Sequence, residues 1–232
     1  MKNILVIGAG KGIGLEVVKA LQNKYQVYAI SRTPSEELEK TGVPVRWEDA
    51  LSFQADAGFL PDVLHGVVYC PGSISLKPFT RFSLEDFEND FRQNVLGAVH
   101  VLQKVFPLLK KADGASVVLF STVASKLGMP FHASIATSKA AAEGLTKSLA
   151  AEWAGSKIRV NALALSLTDT PLASALLSTP EKREAAAKRH PLQEIGNPAK
   201  IASLVSFLMD ENSDWITGQI IGVDGGLGSL KL

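Results

Sequence analysis

Cysteine is nearly absent from this chain. Cys70 stands alone, so no internal disulfide can form and a cysteine-built zinc site is excluded. Aromatic residues are sparse as well, at 7% of 232 residues. Neither sign of charge dominates. Lys and Arg number 24 against 23 Asp and Glu, and a formal net charge of +1 gives no reason to expect a nucleic-acid partner. No apolar run approaches the ~18–20 residues a spanning helix needs, so no membrane partner is expected. The composition is not that of a disordered chain: 46% of residues are hydrophobic. The length suits one α/β domain, 1–232, with a substantial core. The opening run, Met1-Lys2-Asn3-Ile4-Leu5-Val6-Ile7-Gly8, breaks into glycines without a cleavage site and reads as a first strand. Together these exclusions point to a soluble, cytoplasmic protein.

Apolar runs of strand length alternate with segments of helical period. Ile4–Ile7, Val27–Ile30, Val43–Val45, Val67–Tyr69, Val117–Phe120, Val160–Leu163 and Ile220–Val223 predict seven strands. They are apolar at successive positions, as strands buried on both faces of a parallel sheet should be. Helical segments are expected at roughly 12–23, 83–109, 133–154 and 198–210. The alternation argues an α/β fold: a doubly wound, seven-stranded parallel sheet in three layers, α/β/α, with right-handed crossovers. The link Leu51–Asp62, with Gly58 and Pro61, leaves little room for a crossover helix between the third and fourth strands.

The first strand runs into Gly8-Ala9-Gly10-Lys11-Gly12-Ile13-Gly14, and a helix follows. A turn without β-carbons lets backbone approach a pyrophosphate, and a helix N-terminus offers free N–H groups and a positive dipole end. Glycines at 8, 12 and 14 give Gly-x-x-x-Gly-x-Gly rather than Gly-x-Gly-x-x-Gly, because Ile13 stands where that pattern's third glycine would fall. A plain glycine-rich turn capping a helix is the alternative.

The second strand ends at Ala29-Ile30-Ser31-Arg32-Thr33. An acid here would hydrogen-bond the adenosine ribose of a dinucleotide. None stands at 30 or 31. Lys11 and Arg32 instead supply two cations where a 2′-phosphate would sit, which favours NADP(H) over NAD. Two solvated surface cations are the alternative.

Further motifs follow in order: Asn94-Val95-Leu96-Gly97, Val117-Val118-Leu119-Phe120-Ser121-Thr122, Ser134-Ile135-Ala136-Thr137-Ser138-Lys139-Ala140-Ala141, Ile158-Arg159-Val160-Asn161-Ala162, and Ile216-Thr217-Gly218-Gln219 running to Gly226. With the glycine turn, this set resembles the short-chain dehydrogenase/reductase family over nearly the whole chain. The resemblance implies a Rossmann fold. It implies a cofactor held by Gly8, Gly10, Lys11, Gly12, Ile13, Gly14, Ser31, Arg32, Asp49, Cys70, Pro71, Gly72, Lys139, Leu165, Leu167, Thr168 and Thr170. It also implies catalytic roles for Asn94, which would hold a water in a proton relay, for Thr122 and for Lys139.

The departures are informative. The family's Tyr-x-x-x-Lys has Ile135 at the tyrosine position, and an aliphatic side chain cannot donate a proton. Its Asn-Asn-Ala-Gly appears as Tyr69-Cys70-Pro71-Gly72, and its Pro-Gly after the sixth strand as Leu165-Ser166. Counting back from Ile135 by the family's serine-to-tyrosine separation lands on Thr122; Ser121, its neighbour on a strand, should face the other way. His132 lies seven residues before Lys139, so His132, Ile135 and Lys139 can share a helix face if the helix starts near 131, after Pro130. That spacing is similar to the tyrosine–lysine separation of the enoyl-acyl-carrier-protein reductases. Histidine titrates near neutrality, so His132 is the first candidate for a replacement acid and Ser134 the second. The alternative for His132 is a polar residue in a surface loop. Histidines 65, 100 and 190 fall outside these segments, and nothing argues a metal site.

Segment 165–192 matches the family's substrate lid, and Leu172, Leu176 and Leu177 hint at an apolar or amphipathic substrate. Those leucines packing on their own domain is an equal alternative. The resemblance further implies a homodimer or homotetramer. Two functions stay open. One is an NADP(H)-dependent oxidoreductase passing hydride to or from a carbonyl or enoyl small molecule, with a non-standard proton donor. The other is a catalytically inactive nucleotide-binding sensor or partner subunit.

Overall fold

The structure is a computed structural model and describes residues 1–56 and 58–231. Of the short link expected at 51–62, Ala57 lies outside the described residues, as does Leu232 at the end of the expected domain. Seven parallel strands form one sheet in the order β3-β2-β1-β4-β5-β6-β7. They are β1 Asn3–Ile7, β2 Gln26–Ser31, β3 Val45–Trp47, β4 Gly66–Tyr69, β5 Ala115–Thr122, β6 Ile158–Leu165 and β7 Ile220–Val223. Alternate residues along each strand feed opposite faces. Ile4, Val6, Val68 and Val118 pack under α1 (Gly12–Leu21) and α7 (Pro198–Met209), while Leu5, Ile7, Val67 and Val117 pack under α4 (Gly97–Lys110) and α5 (Ala133–Trp153). This two-sided burial is why the strands read as continuous apolar runs.

Strand order reverses between β1 and β4, and a doubly wound sheet opens a ligand crevice at the carboxyl ends of the strands there. The glycine turn leaves β1 and Cys70-Pro71-Gly72 leaves β4 at that point.

The link between β3 and β4 carries no helix among the described residues, as expected. Phe53, Leu60 and Leu64 from this loop are buried against Leu5, Ile7 and Ile30, covering the face that a crossover helix would cover. Burying the Phe53 side chain alone contributes roughly 1.5–3 kcal/mol. The His100 ring bonds the Phe53 carbonyl at 2.9 Å and pins the loop to α4.

Several elements depart from the sequence expectation. β3 occupies Val45–Trp47 rather than Val43–Val45, because Pro44 has no N–H for the ladder and contributes only its carbonyl, which accepts from Ala29 N at 2.9 Å. A short helix, α2 (Glu36–Glu39), precedes it, with the Ser35 hydroxyl accepting from Leu38 N. The long helix expected at 83–109 is interrupted. α3 (Leu84–Phe91) passes into a π-helical turn, Arg92–Leu96, before α4 begins. Tyr69 Oη donates to Gln93 O at 2.7 Å and Asn94 Nδ2 donates to Asp90 O at 2.7 Å, so side chains satisfy carbonyls that the wider turn leaves free. α5 starts at 133, as its period predicts, and the earlier start near 131 that would bring His132 into the helix is not taken, because Phe131 has a left-handed conformation (φ 70°). A 3-10 helix, Pro171–Leu177, and α6 (Pro180–Lys188) form the segment after β6. No helix among the described residues is long and apolar enough to cross a membrane.

Candidate active site

Two cavities, of about 520 and 410 Å³, share the lining residues Ile13, Cys70, Gly72, Thr170 and Leu172. The larger follows the glycine turn. Gly8 has φ 77°, and a β-carbon on Gly14 would collide with the Gly8 carbonyl oxygen, so this turn cannot be built with side chains at both places. α1 begins immediately after it. No side chain caps that helix, and its first turn carries no acid, so its N–H groups remain available to an anion.

Every residue expected to hold a cofactor lines one cavity or both. Gly8, Gly10, Lys11, Gly12, Ile13, Gly14, Ser31, Arg32, Asp49, Cys70, Pro71, Gly72 and Thr170 line the larger. Lys139, Leu165, Leu167 and Thr168 line the smaller. One expectation is corrected. It concerns acids beyond positions 30 and 31, which carry none: Glu48 and Asp49 line the same cavity as Lys11 and Arg32, and Asp49 Oδ2 is 3.8 Å from Arg32 Nη1, so Arg32 does not stand free of acids. Arg32 is largely exposed and Asp49 partly so, so the pair is weak. Among the described residues Glu48 Oε2 is buried without a hydrogen-bond partner, and Arg46 Nη1 lies 3.8 Å from it.

The smaller cavity is lined by Thr122, His132, Ile135 and Lys139, with Ile74, Leu76, Met129, Leu172 and Leu176 among its apolar walls. Lys139 is 8% exposed, and its Nζ donates to Phe120 O at 3.0 Å. Desolvation pushes its ammonium down to about 8, against the opposing pull of the Asp90 carboxylate. Desolvation likewise pushes the neighbouring Cys70 thiol up to about 12, so it stays protonated. Ile135 is buried one helical turn before Lys139, so no hydroxyl reaches the cavity from that position.

Asn94 does not line either cavity but abuts Gly72, which lines both. A β-carbon on Gly72 would lie 3.6 Å from Asn94 Oδ1 and 3.6 Å from Lys139 Nζ. Asn94 Nδ2 is committed to Asp90 O and, at 3.0 Å, to Ser73 Oγ, whereas Asn94 Oδ1 is buried without a partner. A water beside Gly72 would satisfy that oxygen.

Ser121 and Thr122 both line the smaller cavity, but their hydroxyls are engaged differently. Ser121 is buried, with its Oγ donating to Glu143 Oε1 at 2.7 Å. Thr122 is half-buried; its Oγ1 accepts from Ala124 N at 3.3 Å, leaving its proton free. His132 is the N-terminal cap residue of α5 rather than part of the helix, and its Nδ1 lies 2.7 Å from Pro130 O. Ser134 is removed as a candidate acid. It is 1% exposed and turned toward α3, donating to Asp90 Oδ2 at 2.5 Å.

Sequence reasoning missed a second pair of polar groups on this cavity. Ser166 Oγ lies 2.7 Å from His190 Nε2, and His190 Nδ1 lies 2.9 Å from Ala186 O. Ser166 was visible only as a departure from the family pattern. His190 carried no signal, because 24 residues separate the two.

Comparison with known proteins agrees with this geometry. Residues 48–228 match the family model described as enoyl-(acyl carrier protein) reductase. A tropinone reductase homologue of Arabidopsis thaliana is 32% identical over 97% of this chain and 92% of its own. The 3-oxoacyl-(acyl-carrier-protein) reductase FabG of Thermotoga maritima is 33% identical over 97% of each chain. Among solved structures, ElxO with NADP bound superposes with a TM-score of 0.87 at 26% identity, covering 99% of both chains.

Proposed function

The chain belongs to the short-chain dehydrogenase/reductase family, and from that premise we propose that it is an NADP(H)-dependent oxidoreductase. Its substrate in this reading is a small carbonyl or enoyl compound, apolar or amphipathic, held under segment 165–192 as a lid. The observation that carries the proposal is the junction at Gly72. That glycine lines both cavities, and the Lys139 ammonium and the unpartnered Asn94 oxygen meet beside it.

The bound cofactor supplies or accepts hydride. The residues of this chain do the rest. The turn from Gly8 to Gly14 and the N-terminus of α1 receive the pyrophosphate. Lys11 and Arg32 receive the 2′-phosphate, with Arg32 exchanging its weak contact to Asp49 for it. Glu48 accepts a hydrogen bond from a hydroxyl or amine at the adenosine end. Lys139 holds the nicotinamide ribose, and with Asn94 keeps a water beside Gly72 as a proton reserve. Thr122 offers its free hydroxyl to the substrate oxygen. With Ile135 at the family's tyrosine position, the proton comes from another group on the cavity, and His132 is one such group. Assembly as a homodimer or homotetramer, and a cytoplasmic location, belong to the same reading.

The test pairs a fluorescence titration of NADPH and NADH with NADPH oxidation over a panel of ketones and enones. Tighter NADPH binding together with turnover is expected. Tight NADPH binding without turnover on any substrate favours the nucleotide-binding sensor, the reading for which Ile135 itself speaks.

A further inference from the structure

The polar pair missing from the sequence reading lines the cavity in which a proton is needed. Ser166 and His190 line the same cavity as Thr122, Ile135 and Lys139. His190 is 4% exposed and held on two sides. Its Nδ1 faces the carbonyl oxygen of Ala186 at 2.9 Å, and a carbonyl can only accept, so the hydrogen sits on Nδ1. A β-carbon on Gly225 would stand 3.2 Å from the His190 Cβ, so the glycine turn 224–226 packs directly on this residue. With Nδ1 committed, Nε2 has one partner, the Ser166 hydroxyl at 2.7 Å. A hydroxyl backed by an imidazole whose other nitrogen is fixed is the arrangement that proton-transfer sites use to set direction.

We propose that Ser166, backed by His190, is the proton donor of this site and supplies what Ile135 cannot. The proposal rests on the reductase reading given above. When His190 is neutral, Ser166 Oγ–H points at Nε2. When the imidazole has taken a second proton from solvent water at Nε2, Nε2–H donates to Ser166 Oγ, and the serine hydrogen is free for the cavity. In the reducing direction the carbonyl carbon gains the hydride that the reduced nicotinamide supplies, which is thereby oxidised. The carbonyl π pair passes to oxygen, and that oxygen takes the Ser166 proton. Nε2–H then restores the hydroxyl, and His190 is left neutral with its hydrogen on Nδ1. The other charged and titratable groups sharing the cavity are Lys139, Lys182, Arg189, His132 and Cys70; no carboxylate among the described residues lines it. A developing alkoxide therefore meets only cations and hydrogen-bond donors. His132 is the weaker donor on geometry: it is only half-buried, and the one ring nitrogen with a partner is tied to the Pro130 carbonyl rather than to a hydroxyl on the cavity.

The test uses the whole chain with NADPH and a ketone and enone panel that includes cyclohexanone and 2-cyclohexenone. Ser166→Ala should lower kcat by about 10²-fold or more, with the NADPH Kd within about twofold of wild type. Ser166→Thr, which keeps a hydroxyl, should recover most of the rate. His190→Gln keeps a hydrogen bond to Ser166 but cannot release a proton, so it should fall with Ser166→Ala in kcat rather than KM. ¹⁵N NMR of the histidines should show His190 with hydrogen on Nδ1, and Ser166→Ala should move its Nε2 resonance. Wild-type kcat in Ser166→Ala, loss of turnover in His132→Ala with Ser166→Ala intact, or an Nε2–H tautomer would each overturn the pair while leaving the reductase reading standing. A wild-type protein that binds NADPH and turns over nothing on the panel removes both.

Discussion

Asn94 Oδ1 and Lys139 Nζ face one small volume beside Gly72, each 3.6 Å from the point where a β-carbon on that glycine would stand. At that distance an added methyl makes ordinary contact. Gly72→Ala should therefore fold normally while filling the space in which a water could join the two groups. NADPH oxidation should fall by about 10-fold or more, as for a disturbed proton path, with thermal stability unchanged. Undiminished turnover in a folded Gly72→Ala would show that no relay passes this point.

Lys139 sets stability against function. Its folded pKa of about 8 lies below the ordinary 10.5, so burying the ammonium costs stability, fully below about pH 8. Between about 8 and 10.5 the folded protein has released this proton and the unfolded chain has not, so unfolding becomes harder as pH rises through that window. Lys139→Met should remove that slope and raise stability at pH 7 by about 1–3 kcal/mol while weakening NADPH binding. The wild-type advantage in NADPH affinity should shrink as pH passes about 8. Denaturant melts and NADPH titrations at pH 7 and pH 9 read both effects; a destabilised Lys139→Met would reverse the sign of the argument.

The glycine turn tolerates no side chain at its last position. Gly14→Val places a branched group against the Gly8 carbonyl, so nucleotide binding should be lost and the melting temperature should drop. A Gly14→Val protein with wild-type NADPH affinity contradicts the assignment of this turn.

Cofactor choice rests on two exposed cations. Lys11→Ala with Arg32→Ala should weaken NADPH by at least about 10-fold and leave NADH nearly unchanged, since a bidentate phosphate contact is worth about 1.5–3 kcal/mol. Equal losses for the two nucleotides would show that Lys11 and Arg32 do not read the phosphate.

Much of this architecture was legible in the residues. Two-sided burial makes Ile4–Ile7 and Val117–Phe120 continuous apolar runs, and the missing crossover helix followed from the shortness of 51–62. Phe53 in that loop gave no sign of its role, because a single phenylalanine has no period. Pro44 held the reason for the displaced β3, but only pairing with Ala29 makes it visible. The π-turn was hidden because it is stabilised across the fold, by the Tyr69 hydroxyl on Gln93 O. The lining of the two cavities was readable at the residues that sit in local motifs, such as Gly8–Gly14 and Lys139. The Ser166–His190 contact was not, because the turn 224–226 and segment 171–190 bring the two together only after folding.

Whether hydride moves on this protein is the central question, and label transfer answers it most directly. NADPH deuterated at the transferred nicotinamide position is incubated with the wild-type protein and the ketone panel, and the product alcohols are analysed by mass spectrometry. Deuterium on the former carbonyl carbon, at a rate that falls about 10²-fold in Ser166→Ala, is the expected result. Tight NADPH binding with no label in any product would contradict the reductase account.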